Sequence, residues 1–234
     1  MHNCPALAAI PLIPSRLPFQ EKTVPSPALP RTTDGRVPGQ RGLRTRQLIV
    51  STALDLFGVH SYRDVTVVEI ARAAGTSPAT VYQYFSGVEE IVLDAADHLA
   101  RETADALGAF IDGSWATKGL PGAQQFVGAV LDHWGRHRAA LRVIAALTAE
   151  ADPRFVHAFK SVTRPVNRAL AAAVERPMPS DGARKALVHG LVAVLVASAT
   201  GQQRVALTAN VSVKAQREGL AHLVHVAVSA PTNL

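Results

Sequence analysis

Residues 64–86 read DVTVVEIARAAGTSPATVYQYFS, and their punctuation leaves the backbone little freedom. Thr66 followed three residues later by Glu69 is a capping box, which starts a helix by satisfying two orphan N–H groups reciprocally. Gly75 supplies the left-handed residue that closes such a helix. Ser77 is a second N-cap, and Pro78 stands at the first helical position, where its missing N–H is harmless. Two helix starts this close, with a glycine between them, admit only two short helices joined by a tight turn.

The flanking sequence extends the pattern. Leu48, Ile49, Thr52, Ala53, Leu56 and Phe57 recur at three- and four-residue spacing and predict a preceding helix, with Thr45 as its N-cap and a break around Gly58–Arg63. A fourth helix begins near Val88, carries Ile91, Ala95 and Leu99 on one side, and runs towards Phe110. Further helical segments follow at about 124–137, 139–151, 154–175 (interrupted by Pro165), 181–207 (capped by Ser180 or Asp181) and 213–228 (capped by Ser212). No stretch alternates with a strand period, so the chain is all-α. Hydrophobic residues at 48% exclude wholesale disorder, and 5% aromatics suit helices packed through small aliphatic side chains.

Residues 1–40 hold more than half of the fifteen prolines and show no apolar period. They are expected to form a mobile Pro-rich arm, either a plain linker or an arm that follows the DNA backbone or enters a minor groove. Residues 41–98 form an N-terminal domain and 99–234 a C-terminal one. The single cysteine, Cys4, excludes a disulfide framework and points to a reducing, cytoplasmic setting. The apolar run from Ala186 to Ala199 contains His189 and falls short of the roughly 20 residues a membrane span needs.

The two short helices form a helix-turn-helix, in which the first braces across the DNA backbone and the second enters the major groove. Small residues at the start of the second helix, Ser77, Pro78, Ala79 and Thr80, permit close approach. Tyr82 and Tyr84 suit phosphates, and Gln83 can pair with adenine through two hydrogen bonds. The alternative for Tyr82 is an inward-facing ring.

Residues 45–99, above all Ala53-Leu54-Asp55-Leu56-Phe57, Val65-Thr66-Val67-Val68-Glu69-Ile70-Ala71 and Ala74 to Phe85, resemble the DNA-binding domain of TetR/AcrR-type transcriptional regulators. The resemblance implies a homodimer on a palindromic double-stranded operator, most often a repressor, with a C-terminal helical domain that binds a small effector and releases DNA. Matching positions assign DNA contact to Thr45, Thr66, Ser77, Ala79, Thr80, Tyr82, Gln83 and Tyr84, and Arg44 joins them as a DNA-binding candidate by its charge. The chain departs from the family at Pro78 and Val88, where cations are common, and at Ser61, where glycine is common. Arg41, Arg44 and Arg46 are the candidates to make up the lost charge.

In the second domain, Gly190, Ala193 and Ala197 repeat at close-packing spacing. Together with Leu220, Leu223 and Val224 they suit a self-complementary four-helix contact across a two-fold axis, the alternative being a core helix within one chain. Phe110, Trp115, Phe126, Trp134, Phe155 and Phe159 are candidates to line an effector pocket or simply to fill the core. His133 and His137, at i and i+4, could share a metal, but Trp134 excludes a HExxH motif and core or exposed histidines are the simpler reading. Arg136, Arg138 and Arg142 read as a solvated basic stretch. No phosphate loop, nucleophile elbow or carboxylate pair is present, so no enzyme activity, cofactor or metal is expected. The rival readings are a helical enzyme or metal-binding protein with an accessory DNA-binding head, and a DNA-binder without effector response. Charge does not decide between them. Residues 1–40 carry four basic and two acidic residues, 41–98 five and seven, and 99–234 fifteen and nine, so the excess lies away from the helix-turn-helix.

Overall fold

The computed structural model describes residues 32–209 and 211–229, with the side chains of 202–209 left aside. Most of the expected N-terminal arm, including Cys4 and Arg31, lies outside the described residues. Within them the elements are helices only: α1 (Gln40–Val59), α2 (Val67–Ala73), α3 (Pro78–Tyr84), α4 (Val88–Ala106), α5 (Leu120–Arg136), α6 (Arg138–Ala149), α7 (Pro153–Ala173), α8 (Asp181–Ala209) and α9 (Val213–Val228). Short 3-10 segments at Tyr62–Asp64, Gly108–Phe110 and Ser114–Lys118 link some of them.

The first helix starts earlier than its sequence suggested. Thr45 is not its N-cap: α1 begins at Gln40 after Pro38-Gly39, and the Thr45 hydroxyl donates to the Arg41 carbonyl one turn back, at 3.1 Å. Gln40, Arg41, Leu43 and Arg44 are good helix formers, so nothing stops the helix until the Pro-Gly pair. Gly42 is placed where a Cβ would approach the Tyr84 hydroxyl to 3.2 Å, which brings α3 close to α1. Leu48 does not join the buried face and is 50% exposed; Ile49, Val50, Ala53 and Phe57 form that face.

The α2–α3 pair follows its local signals. Thr66 Oγ1 accepts from Glu69 N–H, and Glu69 Oε2 accepts from Thr66 N–H at 2.8 Å, completing the capping box. Gly75 takes φ +63°, a conformation open to glycine at little cost. Ser77 Oγ accepts from Thr80 N–H at 3.1 Å. Ile70 and Ala71 of α2 and Val81 and Phe85 at α3 bury completely with Ile49, Ala53 and Phe57 of α1.

The remaining helices form the larger body. Here α4 lies along α7, α6 packs on both α7 and α1, and α5 packs on α8 and α9. Pro165 does not interrupt α7, which runs unbroken with the proline ring buried. Phe155, Ala158, Val162, Val166, Ala169 and Ala173 repeat on one buried face, and that packing holds the helix through its one missing N–H. One helix among the described residues, over Asp181–Gly201, is long and apolar enough to cross a membrane by length and composition, contrary to the reading of its 14-residue apolar core alone. Leu191, Val192, Leu195 and Val196 on this helix are buried within the chain.

Candidate nucleic-acid interface

The solvent face of α3 carries Ser77, Ala79, Tyr82 and Gln83, all exposed, while Val81 and Phe85 anchor the opposite face. Tyr82 is 50% exposed, so its ring does not fill the core. Thr80 is half-buried, its hydroxyl 2.9 Å from that of Ser77. Tyr84 is also half-buried, its ring laid against Gly42. Thr66 is exposed at the start of α2, and its bonds hold the Glu69 carboxyl below the ordinary carboxylate range.

The last carbonyls of a helix have no partner within it. In α3 three of them are met from distant parts of the chain. Thr33 N–H donates to the Gln83 carbonyl at 2.9 Å, and Thr33 Oγ1 lies 3.0 Å from the Tyr82 carbonyl. Arg46 Nη1 donates to the Tyr84 carbonyl at 2.9 Å. The recognition helix is therefore held by its own cap at one end and by two outside residues at the other.

Neither outside residue was assigned this position from sequence. Arg46 was grouped with Arg41 and Arg44 as a DNA-facing cation, but it turns inward. Its Nη2 meets Asp94 Oδ1 at 2.9 Å, its guanidinium lies 4.2 Å over the Phe85 ring, and its side chain is 11% exposed. A cation that is bonded on two sides and stacked on an aromatic face is committed to the interior. Thr33 was assigned to the mobile arm, yet residues 32–36 form a turn in which Thr32 N–H bonds the Arg36 carbonyl at 2.9 Å. The Thr-Asp-Gly run at 33–35 was the signal available for it. Arg41, Arg44 and Arg72 are exposed, whereas Arg63 pairs with Glu150 at 2.5 Å.

Away from α3, Arg142 is not simply solvated, because its Nη2 donates to the Phe57 carbonyl near the end of α1. A cleft of about 730 Å³ opens beside that contact, lined by Val59, His60, Tyr62, Arg63 and Leu147 among others. The aromatic candidates for a pocket lie elsewhere. Trp115 stacks on Phe126 with centroids 4.4 Å apart, Phe110 meets the same ring edge-on at 5.7 Å, and Trp134 and Phe155 are buried. Phe159 is partly buried. Among the described residues, four buried side-chain polar atoms in this body have no hydrogen-bond partner: Trp115 Nε1, Trp134 Nε1, Asn167 Oδ1 and Arg217 Nε, the last on a guanidinium already bonded to Asp132 through Nη2. Asn167 was not singled out from sequence.

His133 is buried, and its Nε2 lies 3.0 Å from the Thr103 hydroxyl, which itself donates to the Leu99 carbonyl. With that hydroxyl proton committed, the imidazole donates to the Thr103 oxygen. Burial, then His137 and Arg136, push the His133 pKa down. His137 instead meets Glu102 at 3.3 Å. Among the described residues no group of three or more His, Cys, Asp or Glu is placed to hold a metal.

On the outer side of α8, Gly190, Ala193, Val194 and Ala197 are exposed, and on α9 so are Leu223 and Val226. Leu220 and Val224 depart from the expected dimer surface: they are buried within the chain, on the face of α9 that packs against α5. The apolar residues of α9 occupy more than one face, so spacing alone did not separate inner from outer.

A short helix, a glycine turn and a braced second helix with an exposed polar face define a helix-turn-helix protein. Two family models match it: "Bacterial regulatory proteins, tetR family" over residues 49–95, and "Tetracyclin repressor-like, C-terminal domain" over residues 108–233. The chain belongs to the TetR family. It is 41% identical over 73 residues to the HTH-type transcriptional regulator BetI of Brucella anthropi, a match covering 31% of this chain and 37% of BetI. The fold is similar to the fatty acid degradation regulator FadR of Bacillus halodurans, with TM-score 0.61, 15% identity, and coverage of 81% of this chain and 97% of that one. It is also similar to a tetR-family transcriptional regulator from Streptomyces coelicolor, with TM-score 0.60, 19% identity, and coverage of 79% and 80%.

Proposed function

We propose that this protein is a DNA-binding transcriptional regulator that acts as a homodimer on a palindromic operator. The observation that carries this reading is α3: its Ser77, Ala79, Tyr82 and Gln83 face is exposed while both helix ends are held in place. Gln83 reads a base edge, Tyr82 and Ser77 meet phosphates, and Arg44, Thr45, Thr66, Thr80 and Tyr84 support the approach. The head spans roughly residues 41–98, and the body from residue 99 onward serves dimerisation and sensing. The second copy docks on the exposed face formed by Gly190, Ala193, Val194, Ala197 and Leu223, whose small residues let helices approach closely.

The regulator is a cytoplasmic repressor released by a small effector held in the body, and no catalytic step belongs to it. The buried, unpartnered Trp115 and Trp134 N–H groups and Asn167 oxygen support an effector with hydrogen-bonding groups, because an unsatisfied buried polar atom costs about 1–3 kcal/mol. The Arg142 contact to Phe57 and the Arg63–Glu150 pair connect the body to the head, so a shift of α6 reaches α1.

The test is capture of bound genomic fragments followed by binding measurements on the recovered duplex. Gln83→Ala should lose about 1–3 kcal/mol of discrimination at one base pair per half-site. Failure of the wild-type protein to select any sequence would remove the reading.

A further inference from the structure

We propose that the Thr32–Arg36 turn is a second DNA-contacting element, in which Thr33 fixes the turn to the recognition helix and Arg36 meets a backbone phosphate beside it. The proposal rests on the DNA-binding reading above. Thr33 bonds the carbonyls of Tyr82 and Gln83, the residues whose side chains form the reading face. It is therefore a positioning residue for Gln83. The seven residues of α3 extend only about 10 Å, so a turn fixed at one end lies near the DNA strand that the other end enters.

The turn is well formed. Thr32 N–H bonds the Arg36 carbonyl, Gly35 N–H bonds the Thr32 carbonyl at 2.8 Å, and Gly35 takes φ +84°. The Asp34 carboxylate is engaged by the Thr32 hydroxyl and lies 3.5 Å from the Arg36 N–H. The Arg36 guanidinium projects outward, with its side chain 87% exposed and an exposed ion pair to Asp34 at 3.4 Å. Such a pair is worth little in water and yields readily to a phosphate.

Charge supplies the need. DNA affinity depends on cations that displace condensed counterions. Residues 41–98 hold five arginines against seven carboxylates, and Arg46 is committed to the interior by its pair with Asp94. The turn carries Asp34 beside Arg36 and so adds no net charge; what it supplies is a guanidinium, fixed next to the recognition helix, that can exchange that exposed carboxylate for a phosphate.

The experiment uses the full chain, the captured duplex and an unrelated duplex of equal length, with fluorescence anisotropy across a sodium chloride series. Each phosphate contact contributes about 0.9 to the slope of log K against log salt. Arg36→Gln should lower that slope by about 1.8 for a dimer, and Arg36→Lys should restore most of it. Thr33→Val should reduce the preference for the captured duplex about fivefold, the equivalent of one hydrogen bond. An unchanged slope in Arg36→Gln, with wild-type binding intact, overturns the inference and leaves the function standing. So does unchanged selectivity in Thr33→Val. Absence of wild-type selectivity overturns the function itself.

Discussion

Replacing Arg46 with methionine separates two roles that an arginine at the start of a DNA-binding head can play. Methionine keeps much of the aliphatic volume and removes the guanidinium. Asp94, with 14% of its side chain exposed, then loses its guanidinium partner and is left, among the described residues, with the imidazole of His98 at 3.8 Å. Breaking a buried pair from one side costs about 3–5 kcal/mol, because the surviving charge stays desolvated. Both partners here touch some water, which places the pair near the lower end. The lost bond to the Tyr84 carbonyl belongs to the same side chain and does not add in full. About 3–4 kcal/mol is therefore expected, or a fall of roughly 6–16 °C in Tm for a chain of this size. Thermal melts by circular dichroism at fixed protomer concentration measure it. The Arg46→Met, Asp94→Leu double variant should recover much of the loss by removing the stranded carboxylate. A phosphate-binding Arg46 predicts the opposite pair of results: a Tm within about 2 °C of wild type, and a salt slope lower by about 1.8 per dimer. That outcome would refute the inward-facing assignment.

Other perturbations probe separate parts of the molecule. The folded protein holds the His133 pKa below its unfolded value, so the unfolded chain binds more protons. Stability is then complete above the ordinary histidine pKa of about 6.5 and declines as pH falls below it. His133→Leu should flatten that decline in urea melts, and an unchanged pH profile would argue against the buried neutral imidazole. Ala151 takes φ +62° after α6, a left-handed conformation that strains any residue with a Cβ. Ala151→Gly should stabilise by about 0.5–1 kcal/mol, and a destabilised variant would show that this turn carries no such strain. Val194→Glu places a charge on the exposed apolar face of α8 and should shift the sedimenting species to monomer. A variant that remains dimeric would place the interface elsewhere.

Local signals were legible in the sequence and long-range partners were not. The Thr66–Glu69 box, the Gly75 turn and the Ser77-Pro78 start are decided by backbone groups within a few residues, and each appears where its spacing placed it. Thr45 misled for the same reason: a threonine before an apolar run looks like a cap, but its hydroxyl serves equally well inside a helix by bonding one turn back. Arg46 and Thr33 meet their partners 38 to 50 residues away, and no periodicity reports such a distance. Leu220 and Val224 were misplaced because the apolar residues of α9 run past its buried face to the exposed Leu223 and Val226, so the pattern, although bounded on one side by the exposed Lys214, Glu218 and His222, did not mark where the inner face ends. The candidate DNA surface was thus readable in its side chains, while the bracing that orients it was not.

The attachment of Arg142 near the end of α1 also sets a scale for movement. A helix of 20 residues is about 30 Å long, so α1 behaves as a lever with that arm. Tilting it by about 4° from the Phe57 end carries the Gln40 end roughly 2 Å. A hydrogen bond survives only a few tenths of an ångström of stretch beyond its ordinary length. Motion too small to break any contact in the body is therefore large enough, once multiplied along α1, to lift side chains out of register with a groove.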